Sequence, residues 1–177
     1  MGPAYRLFYD TPLHLVRGEG VYLYDAEGRQ YLDCYNNVAA VGHCHPRVVA
    51  ALSEQAANLA THTRYLHENV IRYAERLAET LPGDLGVCMF ANSGSEANEL
   101  AIRIARAVSG NEGAVVLECA YHGTGNATFD LSTEDYPACD RPGHVATIAA
   151  PDAYRADVDR DDDEFARSCG SLSLIHI

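Results

Sequence analysis

The densest chemistry in this chain lies at Asn92-Ser93-Gly94-Ser95-Glu96-Ala97-Asn98-Glu99. Ser93 followed three residues later by Glu96 is a capping box, so a helix should start here. Read alone, the segment is a well-made helix start. It also has the parts of a phosphate cradle. Gly94 lets the backbone approach an anion closely, and Ser93 and Ser95 offer hydroxyls. The free N–H groups of a first helical turn point at the same spot, where the helix dipole adds roughly 0.3–1 kcal/mol for a negative charge. After the next strand-like run comes Ala120-Tyr121-His122-Gly123-Thr124-Gly125. An aromatic at the end of a neighbouring strand could lie flat on a ligand ring, and ordinary loop packing is the plainer reading of Tyr121 and His122. Gly42-His43-Cys44-His45-Pro46 sets three metal-ligand types side by side. Adjacent residues converge poorly on one ion, and no second ligand pair stands at zinc spacing. A tight loop feeding a helix is the expectation there, with no metal. His14, His62, His67 and His144 are solitary and receive no role.

These residues need elements to hold them. Val21-Tyr22-Leu23-Tyr24-Asp25 and Gln30-Tyr31-Leu32-Asp33-Cys34 read as strands joined by a glycine turn, a β-hairpin. An irregular loop covers 36–45. Pro46 suits a first helical position, where its missing N–H costs nothing, and Val48, Val49, Leu52, Ala56 and Leu59 follow at helical spacing. A second helix is expected over 68–81, stopped by Pro82-Gly83. Beyond it, Val87-Cys88-Met89-Phe90, residues 114–118 and residues 145–149 read as buried strands, with a helix over 96–108 between the first two. Strands alternating with helices predict an α/β sheet.

Composition narrows the function. The 177 residues carry 13 basic and 25 acidic side chains, a net charge of −12. Nucleic acid and anionic membrane surfaces want clustered cations, so both are excluded as partners. No apolar run approaches a membrane span. The acidic run at 157–164 lacks the glycine and terminal glutamate of a calcium loop and reads as a solvated face. The six cysteines, Cys34, Cys44, Cys88, Cys119, Cys139 and Cys169, form no Cys-x-x-Cys pair. Buried free thiols in a reducing cytosol are expected, and with them a cytoplasmic protein. All 13 basic residues are arginines; the chain contains no lysine.

Taken together, Gly-Val-Tyr-Leu-Tyr-Asp (20–25), Tyr-Leu-Asp (31–33), Gly-His-Cys-His-Pro (42–46), Asn-Ser-Gly-Ser-Glu-Ala-Asn (92–98) and Tyr-His-Gly (121–123) resemble the N-terminal part of class III pyridoxal-phosphate-dependent aminotransferases. Residues 36–46, 64–69 and 150–155 resemble the branch that contains ethanolamine-phosphate phospho-lyase. The resemblance covers most of residues 5–167. It implies a fold-type I α/β transferase, incomplete here. Residues 1–60 would be the N-terminal segment of the small domain, 61–167 the first part of the cofactor-binding large domain, and 168–177 a non-native tail. It implies pyridoxal 5'-phosphate as cofactor, a small-molecule amine as substrate and a homodimer in the full-length protein. Ser93, Gly94 and Ser95 would hold the cofactor phosphate. Tyr121 would stack on its ring, with His122 and Gly123 shaping that wall. Asn36 and Asn37 would line the substrate side. The reaction would be amino transfer to a keto acid or, as in the phospho-lyase branch, phosphate elimination from a phosphorylated amino alcohol. A non-catalytic module that binds a phosphorylated ligand is the remaining alternative. The family's chemistry needs a lysine that bonds the cofactor and moves a proton. With no lysine, no catalytic residue is assigned, and this chain alone is expected to be inactive. Leu172-Ser173-Leu174-Ile175-His176-Ile177 reads as a translated transposon-end sequencing adapter, which would make the terminus non-biological.

Overall fold

A computed structural model describes residues 9–134, 141–152, 154 and 167. The chain divides into two compact units, Met1–Ile71 and Arg72–Ile177. The acidic run at 157–164 and the tail at 168–177 lie outside the described residues.

In the first unit, β1 (Leu15–Glu19), β2 (Tyr22–Asp25) and β3 (Gln30–Leu32) form an antiparallel sheet in the order β1-β2-β3. The expected hairpin is the β2–β3 pair, in register Tyr22↔Leu32 to Tyr24↔Gln30. Asp25, 3% exposed, organises its turn. One carboxylate oxygen accepts the Glu27 and Arg29 N–H groups, and the other accepts Arg29 Nε at 2.7 Å and the Tyr31 hydroxyl at 2.8 Å. Burial pushes this carboxyl up, but the Tyr31 and Arg29 hydrogen bonds outweigh it and hold the group below its ordinary range. β1 was not anticipated, because Leu15-Val16-Arg17-Gly18-Glu19 carries charges and a glycine and lacks alternation.

The loop after β3 is latched back onto this sheet. Gly20 and His43 exchange both backbone hydrogen bonds, at 3.1 and 2.8 Å. Gly42 sits at φ 92, and a Cβ there would stand 3.0 Å from the Gly20 carbonyl oxygen, so only glycine fits without strain. His43 Nε2 lies 2.6 Å from Asp33 Oδ2, with the two side chains 20% and 6% exposed. The other Asp33 oxygen accepts the Tyr35 and Asn36 N–H groups. The Asn36 N–H first and the His43 ring second hold the Asp33 carboxyl far below the usual carboxylate range. Asp33 is therefore ionised and the imidazole donates.

α1 (Pro46–Asn58) begins on its proline as expected. Its apolar stripe is not buried. Val48 is 45% exposed and Leu52 66%. An amphipathic stripe becomes core only against a facing element, and here it lines an open groove of about 640 Å³ with the 36–45 loop.

α2 (Glu68–Ala78) ends earlier than the expected Leu81. The Thr80 and Leu81 N–H groups bond three residues back, which tightens the last turn, and the Thr80 hydroxyl donates to the Leu77 carbonyl. In the second unit, Val87-Cys88-Met89-Phe90 is neither a strand nor buried. Val87 is 85% exposed. An extended run becomes a strand only when a neighbour takes its backbone groups, and among the described residues none does. Instead Phe90 stacks on Tyr73 at 5.3 Å, and the Cys88 thiol meets the Ala74 carbonyl.

α3 (Gly94–Ser109), β4 (Ala114–Leu117), α4 (Asn126–Leu131) and β5 (Val145–Ile148) follow. β4 and β5 pair in parallel from Ala114↔Val145 to Leu117↔Ile148, the signature of an α/β sheet. The core among the described residues gathers at α4: Ala127, Thr128 and Leu131, then Ser132 and Thr133, with Val116 of β4. The four described cysteines are free, but the expected burial is not observed: Cys34, Cys44 and Cys119 are exposed and Cys88 is half-buried. Cys119 shows why. It lies past the end of β4, exposed, at φ 57.

Candidate cofactor site

Ser93 is the N-cap of α3, in extended conformation, and its Oγ accepts the Glu96 N–H at 3.1 Å. Glu96 reaches back one residue further than in the usual box, taking the Asn92 N–H at 2.8 Å and the Asn92 amide at 3.1 Å. The N–H groups of Gly94 and Ser95 have no hydrogen-bond partner among the described residues. Among the described residues, nothing lies within 4 Å of a Cβ built on Gly94. The start of α3 thus has two unspent N–H donors and room for an anion beside a glycine. The hydroxyls of Ser93 and Ser95 each accept one N–H, which leaves their protons to donate.

The segment after β4 is brought against this turn. The Thr124 N–H donates to Ser95 Oγ at 3.3 Å. Gly123 adopts φ 138 and packs so closely that a Cβ would stand 2.7 Å from both Ser95 Cα and Ser95 Oγ. Two motifs read separately in the sequence, at 92–99 and 120–125, are therefore one hydrogen-bonded unit. Tyr121, two residues before Gly123 on the same loop, is 57% exposed. The His122 backbone is fixed at both ends, its N–H on Ser132 Oγ and its carbonyl on the Asn98 amide, each at 2.9 Å. Among the described residues, His122 Nε2 is buried with no hydrogen-bond partner. Unspent donors and open space at Gly94 suit a phosphate, and an exposed aromatic residue on the loop that packs on Ser95 suits a flat heterocycle. The residues present therefore fit these two parts of pyridoxal phosphate.

Asn36 and Asn37 lie in the first unit, both exposed, on the loop that Asp33 and His43 latch. Asn36 lines the groove beside α1. In the Gly42–His45 cluster, His43 Nε2 is held by Asp33, Cys44 is exposed at φ 53, and no group of three or more metal-ligand side chains forms among the described residues.

Sequence reasoning missed four residues that build this site. Asn98 and Glu99 stand three and four positions after Ser95, on one helical face, a signal present in the motif itself. Ser132 and Thr133 carried no signal. Their partners, His122 and Ala120, are 10 and 13 residues away.

A family model described as aminotransferase class-III matches residues 7–171. The chain belongs to this family. Class III aminotransferases use pyridoxal phosphate, and the family holds both transaminases and phospho-lyases. The chain is 44% identical over 158 residues to a Drosophila melanogaster protein named alanine–glyoxylate aminotransferase 2-like, covering 87% of this chain and 32% of that protein. It is 40% identical to the Caenorhabditis elegans ethanolamine-phosphate phospho-lyase homolog 1, over 88% of this chain and 34% of the relative. Among solved structures, a phospholyase from Arthrobacter in complex with phosphoethanolamine superposes with TM-score 0.79 at 40% identity, covering 96% of this chain and 40% of that one. An (S)-enantioselective omega-transaminase from Thermomicrobium roseum superposes with TM-score 0.73 at 29% identity, covering 99% and 44%. The class III chain described here spans about a third of the length of the curated relatives it matches. Its α/β architecture is that of fold-type I enzymes.

Proposed function

We propose that this class III segment supplies the phosphate cradle and one ring wall of a pyridoxal-phosphate enzyme acting on a small amine. The observation that carries the reading is the start of α3, where the unspent Gly94 and Ser95 N–H groups, two hydroxyls and open space at Gly94 face the loop of Tyr121. Ser93, Gly94 and Ser95 hold the phosphate, Tyr121 covers the ring, and His122 and Gly123 fix that wall. The cofactor, when bound, withdraws electrons from the substrate's Cα bond. This chain's own residues bind and orient it; the lysine that would bond it and move a proton is absent from the 177 residues. Asn36 and Asn37 contribute to the substrate side. The whole protein transfers an amino group to a keto acid. Elimination of phosphate from a phosphorylated amino alcohol is the second reading, favoured by the 40% identity to the Arthrobacter phospholyase. A homodimer and a cytoplasmic location belong to the same reading.

The test is a titration of the 177-residue chain with pyridoxal phosphate, competed by inorganic phosphate, followed by borohydride reduction and peptide mapping. Saturable binding that phosphate displaces, with no side chain reduced onto the ligand, is expected. The α-amino group is mapped separately. Absence of phosphate-competed binding overturns the cradle, and a reduced side-chain adduct overturns the inactivity of this chain.

A further inference from the structure

Ser95, Asn98 and Glu99 project from one face of the first turns of α3, and each holds a different part of the segment that follows β4. Ser95 Oγ accepts the Thr124 N–H at 3.3 Å, and Asn98 Nδ2 donates to the His122 carbonyl at 2.9 Å. The Glu99 carboxylate accepts the Ala127 N–H at 3.3 Å and the Thr128 N–H at 3.1 Å. These last two are first-turn donors of α4, whose N-cap, Gly125, supplies no side-chain cap. Glu99 is thus the cap of a helix it does not belong to. The fit is close: a Cβ on Gly125 would stand 2.5 Å from Glu99 Oε2. On the far side, buried Ser132 accepts the His122 N–H. The five residues from Tyr121 to Gly125 are therefore suspended between α3 side chains and the body of α4.

We infer that Asn98 and Glu99 are positioning residues that set where the Tyr121 wall stands relative to the start of α3, and so govern affinity for the ring of the ligand and not for its phosphate. The inference rests on the reading of the site given under Proposed function. Neither residue takes part in the cradle. The donors that meet an anion belong to Ser93, Gly94 and Ser95. Loss of Asn98 or Glu99 frees the wall and leaves the cradle intact. Charge sharpens the distinction. Glu99→Gln removes a negative charge near the anion position, so phosphate affinity stays level or rises, while a general loss of structure would lower it.

The experiment measures Kd for pyridoxal phosphate and, separately, for inorganic phosphate on the 177-residue chain and on Glu99→Gln and Asn98→Ala. Glu99→Gln is expected to weaken pyridoxal phosphate about tenfold, the size of one lost part-buried hydrogen bond, and Asn98→Ala about threefold, the size of an exposed one; each should change phosphate by less than about twofold. Circular dichroism decides whether Glu99→Gln folds. Should it not, Asn98→Ala, which removes a single exposed hydrogen bond, carries the test. Parallel weakening of both ligands overturns the inference, as does unchanged affinity for pyridoxal phosphate. A wild-type chain that binds neither ligand overturns the reading of the site itself, and the inference with it.

Discussion

Two glycines at the site make opposite demands, and substituting each by alanine separates them. At Gly123 the backbone stands at φ 138, a region that residues with a Cβ enter at a cost of about 1–3 kcal/mol. The new methyl would also lie 2.7 Å from Ser95 Cα and 2.8 Å from Ser95 Cβ. Cα is backbone, so no rotamer change relieves the contact, and the loop must move off α3 by several tenths of an ångström. Overpacking of this kind costs about 1–3 kcal/mol. Gly123→Ala should therefore lose about 2–6 kcal/mol. Gly94 meets nothing within 4 Å of a built Cβ and lies within α3. Gly94→Ala should leave stability level or raise it by up to about 1 kcal/mol, the helix preference of alanine over glycine. It should nevertheless abolish phosphate binding, because the methyl fills the space left for the anion. Urea unfolding of the three proteins gives the stabilities, and a phosphate titration gives the binding. If Gly123→Ala unfolds within about 0.5 kcal/mol of wild type, the clash argument fails. If Gly94→Ala binds phosphate normally, the open space at the start of α3 is not an anion site.

Ser93→Ala should lose about 1 kcal/mol in the same urea assay, because the Glu96 N–H loses its cap. Asp33 gives a pH prediction with a definite sign. Its carboxyl is depressed in the folded chain from an ordinary value of 3.8. The stability it contributes is therefore complete above that ordinary value and is lost as pH falls below it toward the folded value. The gap in urea midpoint between wild type and Asp33→Asn should be constant from about pH 5 to 7 and shrink below about pH 4. A gap that does not shrink refutes the role given to the Asp33 carboxylate. The same latch should hold the Asn36 amide against hydrogen exchange, and Asp33→Asn should speed that exchange.

Local rules carried most of the element assignment. Pro46 opens α1, the Ser93–Glu96 pair opens α3, and the hairpin formed where its glycine turn predicts. The family, its fold and its cofactor class were legible from motif order. The failures share one physical origin. Residues 87–90 have strand composition, but strand structure is a property of two segments, and no partner is present among the described residues. The stripe of α1 has the right period, yet no residue of α1 or α2 is buried, because burial also belongs to pairs of elements. In the site the same rule explains what was missed. Each motif was visible, whereas the bonds that fuse them span 24 to 29 residues and leave no local trace.

Those separations impose an order of assembly. The latched hairpin closes on contacts near in sequence, and hairpins form within about 1–10 μs. The start of α3 must wait for Thr128, which emerges later by roughly 2–7 s at typical translation rates of about 5–20 residues per second. During that interval the Gly94 and Ser95 donors exist without the wall that will enclose them. On the proposed reading of the site, a nascent chain at this stage presents an open helix end that can take an anion, and discrimination for a ring-bearing phosphate begins only when α4 docks on Glu99.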